Sequence, residues 1–423
     1  MKLNIAVVFG GKSTEHDISI ISALQAIENI DKEKYNVIPI YIDKKGDFYY
    51  SNEDILSKTV NFKNQSELVK KCKNISFIKI KNHTYIRNND VGFMSDKIDI
   101  AVDVAFLIVH GTNVEDGNLQ GYFHTLNLPV VGPDTLSAAL SMDKYIMKEY
   151  WKAIGIPVID GIRFDRNDFK NVDNMVDKIE KEFKYPVIVK PVNLGSSIGI
   201  KKGNDRESLI NALELAFSFT DIILVEKAIV NMREINCAVI GDKFNTETSL
   251  LEEPFGNDEI LSFADKYMSG GGAKGSKSGA KDGKVGAKTV NVGAKHGNVG
   301  AKNGNVGAKL CEPSGAKSGM ASLKRQIPAQ LEEDTASKIR EYAMKVFKYM
   351  GCLGVARIDF IIDKDNNKIY ANEINSIPGS LSYYLFEPKG IKYSELIDRL
   401  INIAIENYKR EEKLNYTFES SVI

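Results

Sequence analysis

Between Gly354 and Asn375 the chain can fold back on itself in very few ways. The runs GVARIDFIID (354–363) and KIYANEIN (368–375) read as strands, and Asp365-Asn366-Asn367 between them is a turn signal. If the strands reverse about Asn366, residues whose numbers sum to 732 face each other, so Asp359 meets Glu373 and Arg357 meets Asn375. Side chains alternate along a strand, so this register puts all four on one sheet face and leaves Ile358, Phe360 and Ile374 on the other. Two opposed carboxylates repel, and a neighbouring amide adds a further hard oxygen. A divalent cation such as Mg²⁺ resolves that arrangement. The plainer alternative is a solvated face on which Arg357 neutralises one acid.

The opposite case is the segment 269–319, where Gly-Ala-Lys begins at residues 272, 279, 286, 293, 300 and 307 and again at 315. A period of seven suits a coiled coil, but these positions hold no apolar seam, and 14 glycines in 51 residues oppose a helix. A flexible cationic tract is expected, with a glycine-rich solenoid as the alternative. Its nine lysines against two acids hide a charge asymmetry, because Lys+Arg and Asp+Glu both total 56 in the whole chain. The balanced total gives no reason to expect nucleic acid or an anionic membrane. Cys72, Cys237, Cys311 and Cys352 form no CxxC, which argues for reduced thiols rather than a zinc or dithiol centre. The start, MKLNIAVVFGGKST, lacks a small-residue cleavage pattern, and no run approaches the ~18 apolar residues of a membrane span. A cytoplasmic protein follows as the expectation.

With 423 residues, 43% of them hydrophobic, the chain has room for two or three domains. Leu3 to Phe9, a helix over Asp17–Ile27 and Val37 to Ile42 open in β-loop-α-β order, and Val102 to Val109 and Pro129 to Val131 add strands. Residues 1–135 therefore form an open parallel α/β domain. A helix over Leu136–Ile154, a strand at PVIVKP, a second from Ile198 and a third at Ile222–Glu226 make a central unit, 136–228. The rest, 229–423, holds a strand at Glu234–Ile240, a helix at Asp334–Met350, the hairpin and a closing helix at Tyr393–Tyr408.

Other motifs leave alternatives open. GGKS at 10–13 lacks the earlier glycine of a P-loop, since that position is Ala6. A loop between strand and helix still presents N–H groups, so Glu15 and His16 are candidates for a polar contact, while Glu15 taken alone reads first as a carboxylate that serves the helix dipole. Lys190 ends an apolar strand and is followed by Gly195-Ser196-Ser197, an arrangement that serves either nucleotide phosphates or an ordinary hairpin turn. His110-Gly111 and Glu115-Asp116-Gly117 close an apolar strand, the end at which open α/β sheets bind ligands. His110 alone reads as structural or as a base.

Taken in order, VVFGGKSTEHDIS, HGTNVEDGNLQG, VVGPDTLSAALSMDK, YPVIVKPVNLGSSIGI, ADKY (264–267), GVARIDF and NEINSIPGS resemble the D-alanine:D-alanine ligases of the ATP-grasp superfamily. The resemblance spans nearly everything except the repeat. It implies an ATP-grasp architecture of α/β and α+β type, with the N-terminal open parallel domain followed by two ATP-grasp subdomains. A lid loop at about 262–329 would carry the 269–319 insertion. It implies that Lys144, Lys190 and Ser197 hold ATP phosphates, that Glu226, Lys227, Ile229 and Glu234 line the base and ribose pocket, and that Lys266 joins them. Asp359, Glu373 and Asn375 would bind two Mg²⁺, with Mn²⁺ as a substitute. Glu15 would take the first D-alanine's ammonium in a set with Ser196 and Tyr267. Arg357 and the Gly379 amide would stabilise an oxyanion, and His110, Tyr384 and Leu385 would contact substrate. A homodimer is likewise implied.

Three departures stand out. Val114 replaces a glycine of the family's HGxxGEDG, which should alter only a turn. Tyr384 stands where many members have a small serine near the second substrate's carboxylate. The repeat lengthens the lid loop, which chain entropy tolerates at only ~0.6 kcal/mol per doubling. Two other outcomes stay open: a ligase using D-serine, or less readily D-lactate because of Tyr267, and a catalytically silent nucleotide-binding protein.

Overall fold

The computed structural model describes residues 2–89, 98–255 and 325–417. The Gly-Ala-Lys repeat, Lys266 and Tyr267 lie outside the described residues.

The first sheet has eight strands: β1 (Leu3–Gly10), β2 (Tyr35–Ile42), β3 (Phe48–Tyr50), β4 (Lys73–Ile80), β5 (His83–Asn88), β6 (Asp99–Val102), β7 (Val104–Val109) and β8 (Val130–Val131). Their order is β6-β5-β4-β3-β2-β1-β7-β8. Strands β2, β1, β7 and β8 pair in parallel, as the β-loop-α-β opening predicts. VAFLIV of β7 is buried throughout, the pattern of a parallel strand covered on both faces. Beyond β2 the sheet continues antiparallel through β6, which the expected all-parallel layer did not include. The reversal starts at Asp43, whose Oδ1 accepts the amides of Lys45, Gly46 and Asp47 at 2.8 to 3.0 Å. Such a tight turn can join only antiparallel neighbours. The helices of this part are α1 (His16–Asn29), α2 (Gln65–Lys70) and α3 (Asn118–Thr125).

The expected single helix over 136–154 is two, α4 (Thr135–Met142) and α5 (Lys144–Ala153). Asp143 is extended, and its carboxylate accepts the amides of Tyr145 at 2.9 Å and Ile146 at 3.0 Å. Aspartate is a strong N-cap, so it restarts the helix and sets Lys144 in its first turn.

The second sheet joins β9 (Gly161–Asp165), β10 (Val187–Pro191), β11 (Lys201–Gly203) and β12 (Ile222–Lys227) in the order β11-β10-β12-β9, covered by α6 (Val172–Glu182) and α7 (Arg206–Phe217). Its β11 starts three residues later than expected from Ile198. Ser196, Ser197 and Gly199 have φ of 53°, 60° and 72°, left-handed values that exclude a strand there.

The third sheet joins β13 (Met232–Gly241), β14 (Thr246–Pro254), β15 (Arg325–Gln326), β16 (Gly354–Asp363) and β17 (Lys368–Asn375) in the order β15-β14-β13-β16-β17. Arg357 pairs with Asn375 and Asp359 with Glu373, the register read from the sequence. One residue further the register shifts, so Phe360 meets Ala371 and Asn372 is the extra residue of a bulge. Helix α8 (Glu333–Tyr349) and Met147 and Trp151 of α5 cover the apolar face that carries Ile358, Phe360 and Ile374. The chain closes with α9 (Tyr383–Phe386) and α10 (Tyr393–Glu411). These return to the first sheet: Ile377, Leu381, Phe386, Leu396 and Leu400 share one buried core with Ile5 to Phe9 and Val104 to Val109.

Candidate active site

Two clefts meet where the three sheets converge. The first forms around Glu15, at the end of the loop that leaves β1. Ser19 Oγ accepts the Gly10 amide at 2.7 Å and donates to the Ile108 carbonyl at 2.6 Å, which ties this loop to β7. Glu15 immediately precedes α1, but its side chain does not cap the helix; it accepts a hydrogen bond from Ser196 Oγ instead. Gly111 and Gly195 flank the carboxylate so closely that a Cβ on either would lie 3.0 or 2.9 Å from Glu15 Oε2. Glycine at both positions is what lets two loops close on one carboxylate.

Behind Glu15, Glu115 accepts hydrogen bonds from the Gly111 amide (2.9 Å), the Ile377 amide (3.0 Å) and Ser376 Oγ (3.1 Å). It straps the loop after β7 to the segment after β17. Burial and then the charge of Glu15 push its carboxyl up to about 8, against the pull of its three donors. His110 is buried beside Ser22 Oγ at 3.3 Å, and burial brings its imidazole down to about 4 despite a hydrogen bond to the Ile377 backbone. Ser22 also accepts the Ser380 amide at 3.3 Å, and Ser380 Oγ donates to Gln25 Oε1 at 2.7 Å. These bonds from α1 hold Ser380, Leu381 and Ser382 in left-handed turns, each with φ of 51°, directly after Gly379. Glu15, His110, Arg357, Asn375 and Gly379 all line this small polar cleft.

The second cleft lies between the second and third sheets. Ile159, Ile188, Ile229, Met232 and Ile361 supply apolar walls, while Lys190, Lys202, Glu226 and Glu234 supply charge. This combination suits a planar base with an anionic tail. Lys144 donates to the Leu194 carbonyl at 2.6 Å, and Lys190 lies 2.5 Å from Glu226 Oε2. Burial opposes ionisation of Glu226, but Lys148 and then Lys190 keep its carboxyl below the usual range. Burial likewise takes the Lys148 ammonium down to about 8, with Glu226 pulling the other way. Lys144, Leu194, Gly195, Ser196 and Glu373 line both clefts, so the two share a wall.

Glu373 reaches both clefts from the third sheet, and Asp359 lies opposite it on the neighbouring strand. Arg357 grips Asp359 through two hydrogen bonds of 2.7 Å, and Asn375 Nδ2 donates to Asp359 Oδ2 at 3.0 Å. Burial disfavours the charge on Arg357, yet the Asp359 carboxylate raises its pKa well above the ordinary value. The pairing of Arg357 with one acid, the plainer reading of this face, is therefore present, but Arg357 and Asp359 are buried rather than solvated. Carboxylate oxygens accept more than one partner, so Asp359 keeps acceptor capacity beside Glu373 and Asn375, whose oxygens are of the hard type a divalent cation takes, although among the described residues no three His, Cys, Asp or Glu side chains group as a metal site.

The family model described as D-ala D-ala ligase N-terminus matches residues 4–133, and the one described as D-ala D-ala ligase C-terminus matches residues 150–289 and 316–402. The D-alanine–D-alanine ligase of Caldicellulosiruptor bescii is 36% identical over 428 residues, covering 99% of each chain. That of Thermosipho africanus is 37% identical over 420 residues, covering 99% of this chain and 98% of the other. The chain belongs to the D-alanine–D-alanine ligase family. Among solved structures, the ligase from Coxiella burnetii superposes with a TM-score of 0.72 at 26% identity, over 97% of this chain and 96% of that one. A D-Ala:D-Ser ligase from Enterococcus faecalis superposes with a TM-score of 0.70 at 27% identity, over 96% and 100%. The ATP-grasp architecture of the family is the fold seen here.

Of the residues singled out through the family resemblance, Glu15, Ser196, His110, Arg357, Gly379 and Asn375 come together in the first cleft. Lys190, Ser197, Glu226, Lys227, Ile229 and Glu234 come together in the second, and Lys144, Ser196 and Glu373 border both. Asp359 is joined to this set through Arg357 and Asn375. Tyr384 and Leu385 are not among the described residues that line either cleft. The Tyr384 hydroxyl lies 3.4 Å from Glu252 Oε2, and the Arg325 guanidinium sits 4.2 Å from its ring centroid. A ring larger than serine fills the core of the first sheet, and its hydroxyl takes a buried partner. Val114 does more than alter a turn: its Cγ1 would be 2.4 Å from a Cβ on Gly11, so the extra side chain is buried where glycine leaves room.

Sequence reasoning missed Lys148 and Asn372, and it named Glu115 only as part of a strand-end motif without the strap it makes to Ser376 and Ile377. Lys148 follows Lys144 by one helical turn, a spacing that would have placed it on the same face. Asn372 enters the site through the bulge, which no turn rule reveals. Among the described residues, no helix is long and apolar enough to cross a membrane.

Proposed function

We propose that the protein joins two D-alanine molecules with consumption of ATP, giving D-alanyl-D-alanine, ADP and phosphate for peptidoglycan synthesis, as a cytoplasmic homodimer. The observation that carries this reading is the shared wall: a cleft suited to a nucleotide and a cleft suited to a small zwitterion meet at Lys144, Gly195, Ser196 and Glu373. A phosphate in one can thus reach a carboxylate in the other.

Glu15, steered by Ser196, takes the ammonium of the first D-alanine. Lys144, Lys190 and Ser197 hold the phosphates, with Glu226, Lys227, Ile229 and Glu234 about the base and ribose. Lys266 and Tyr267, assigned to the phosphates and to the Glu15–Ser196 set, lie outside the described residues. A carboxylate oxygen of the bound D-alanine attacks the γ-phosphorus, ADP leaves, and an acyl phosphate results. Two Mg²⁺ ions, or Mn²⁺, held by Asp359, Glu373 and Asn375 would neutralise phosphate charge. The amine of the second D-alanine attacks the activated carbonyl, Arg357 and the Gly379 amide stabilise the oxyanion, and phosphate departs. Burial of Arg357 strengthens that interaction.

The test is ADP release with Mg-ATP and D-alanine, followed by mass identification of the product. D-alanyl-D-alanine is expected. Preference for a D-serine or D-lactate product would move the assignment to a mixed ligase, a reading that the Enterococcus faecalis neighbour makes worth the extra arm. ATP binding without any product would mark a silent nucleotide-binding protein.

A further inference from the structure

Lys148 belongs to none of the motifs that define the site, yet it is only 3% exposed and its ammonium is bonded to Glu226, a residue that lines the nucleotide cleft. It donates to Glu226 Oε1 on β12 and lies 3.4 Å from Asn372 Oδ1 at the bulge of β17. Glu226, 2% exposed, offers its other oxygen to Lys190 at 2.5 Å. One buried carboxylate is therefore shared by two buried ammonium groups. Lys190 lines the cleft, whereas Lys148 is not among the described lining residues and holds Glu226 from behind.

The asymmetry matters when an anion arrives. Were Lys190 the sole counter-ion of Glu226, turning it toward a phosphate would strand a carboxylate that is almost sealed from water, and a stranded buried charge is heavily penalised. With Lys148 in place, Glu226 stays compensated, and Lys190 can change partners without that loss.

We propose that Lys148 is a positioning residue, the standing counter-ion of Glu226 that releases Lys190 to the nucleotide phosphates. This rests on the ATP-dependent reading of the cleft. It acts through Lys190, so its effect is confined to the phosphate end of the ligand.

The experiment is calorimetric titration of the purified full chain with adenosine and with Mg-ADP. In Lys148→Met, the affinity for ADP should fall about tenfold or more, the scale of one charge-assisted contact, while that for adenosine stays within about twofold. In the double variant Lys148→Met/Glu226→Gln no unpaired carboxylate remains, so its ADP affinity should lie within about threefold of Glu226→Gln alone. The double variant also guards against misfolding of the single one. Unchanged ADP affinity in Lys148→Met would overturn the inference, as would a parallel fall for adenosine and ADP, which is the mark of a merely structural role. A double variant much weaker than Glu226→Gln would overturn it too. Wild-type protein that binds neither ligand would instead sink the ATP-dependent reading itself.

Discussion

Replacement of Arg357 by methionine separates the two tasks of this side chain. In the folded protein it contributes two hydrogen bonds of 2.7 Å to Asp359, both groups being 5% exposed or less. Removing one member of a buried ion pair costs about 3–5 kcal/mol because the partner's charge is left uncompensated. Asn375 still donates to Asp359 at 3.0 Å, which points to the lower end, about 3 kcal/mol. In Arg357→Met/Asp359→Asn no bare charge remains, and more than half of the lost stability should return. Activity should not: loss of one oxyanion donor lowers kcat by about 10²–10³, and Asp359 is a proposed metal ligand as well. Scanning calorimetry of nucleotide-free protein and coupled ADP release measure the two effects. If the double variant melts below Arg357→Met, or if Arg357→Met turns over within about threefold of wild type, a scale far below the loss of an oxyanion donor, the reasoning is refuted.

Glu373→Ala should abolish turnover while Mg-free melting stays close to wild type, and near-normal ADP release would contradict its role as a metal ligand. His110 has a folded-state pKa lowered to about 4 from 6.5, so its contribution is complete above pH 6.5 and is lost as pH falls toward 4. At about 1.4 kcal/mol per unit the full span is roughly 3 kcal/mol. Glu115, raised to about 8, works with the opposite sign between pH 4.5 and 8, so the measurement must be the difference between wild type and His110→Gln across pH 4 to 6.5. A flat difference curve would exclude the His110 effect. Deletion of Gly272 to Lys317 is expected to leave cooperative melting unchanged, and aggregation of the shortened chain would contradict it.

The hairpin of β16 and β17 was legible because a turn signal and strict alternation fix a register, and Asp359 opposite Glu373 followed without further information. Its bulge was not legible, since one extra residue leaves the alternation of the flanking runs intact, and Asn372 was lost with it. The parallel half of the first sheet showed itself as apolar runs. The antiparallel half did not, because β3 has only three residues and β4 mixes lysines with its apolar positions. The break at Asp143 was readable in hindsight from capping chemistry alone. Motifs gave the identities of residues around Glu15, but the closure of Gly111 and Gly195 on its carboxylate depends on two loops from different sheets. The position of Tyr384 depends on Glu252 and Arg325, which no local pattern connects to it.

The core that β1 and β7 share with Ile377, Phe386, Leu396 and Leu400 has a consequence for synthesis. A chain leaving the ribosome N-terminus first has made its whole first sheet, with the apolar face of that sheet uncovered, long before the residues that seal it exist. Contacts between segments more than 350 residues apart, such as Ser22 with Ser380, form last. During that interval the nascent sheet is a surface for chaperones or for aggregation. Premature termination anywhere before α10 would leave it permanently open, so truncated products should be cleared rather than accumulate as a folded N-terminal fragment.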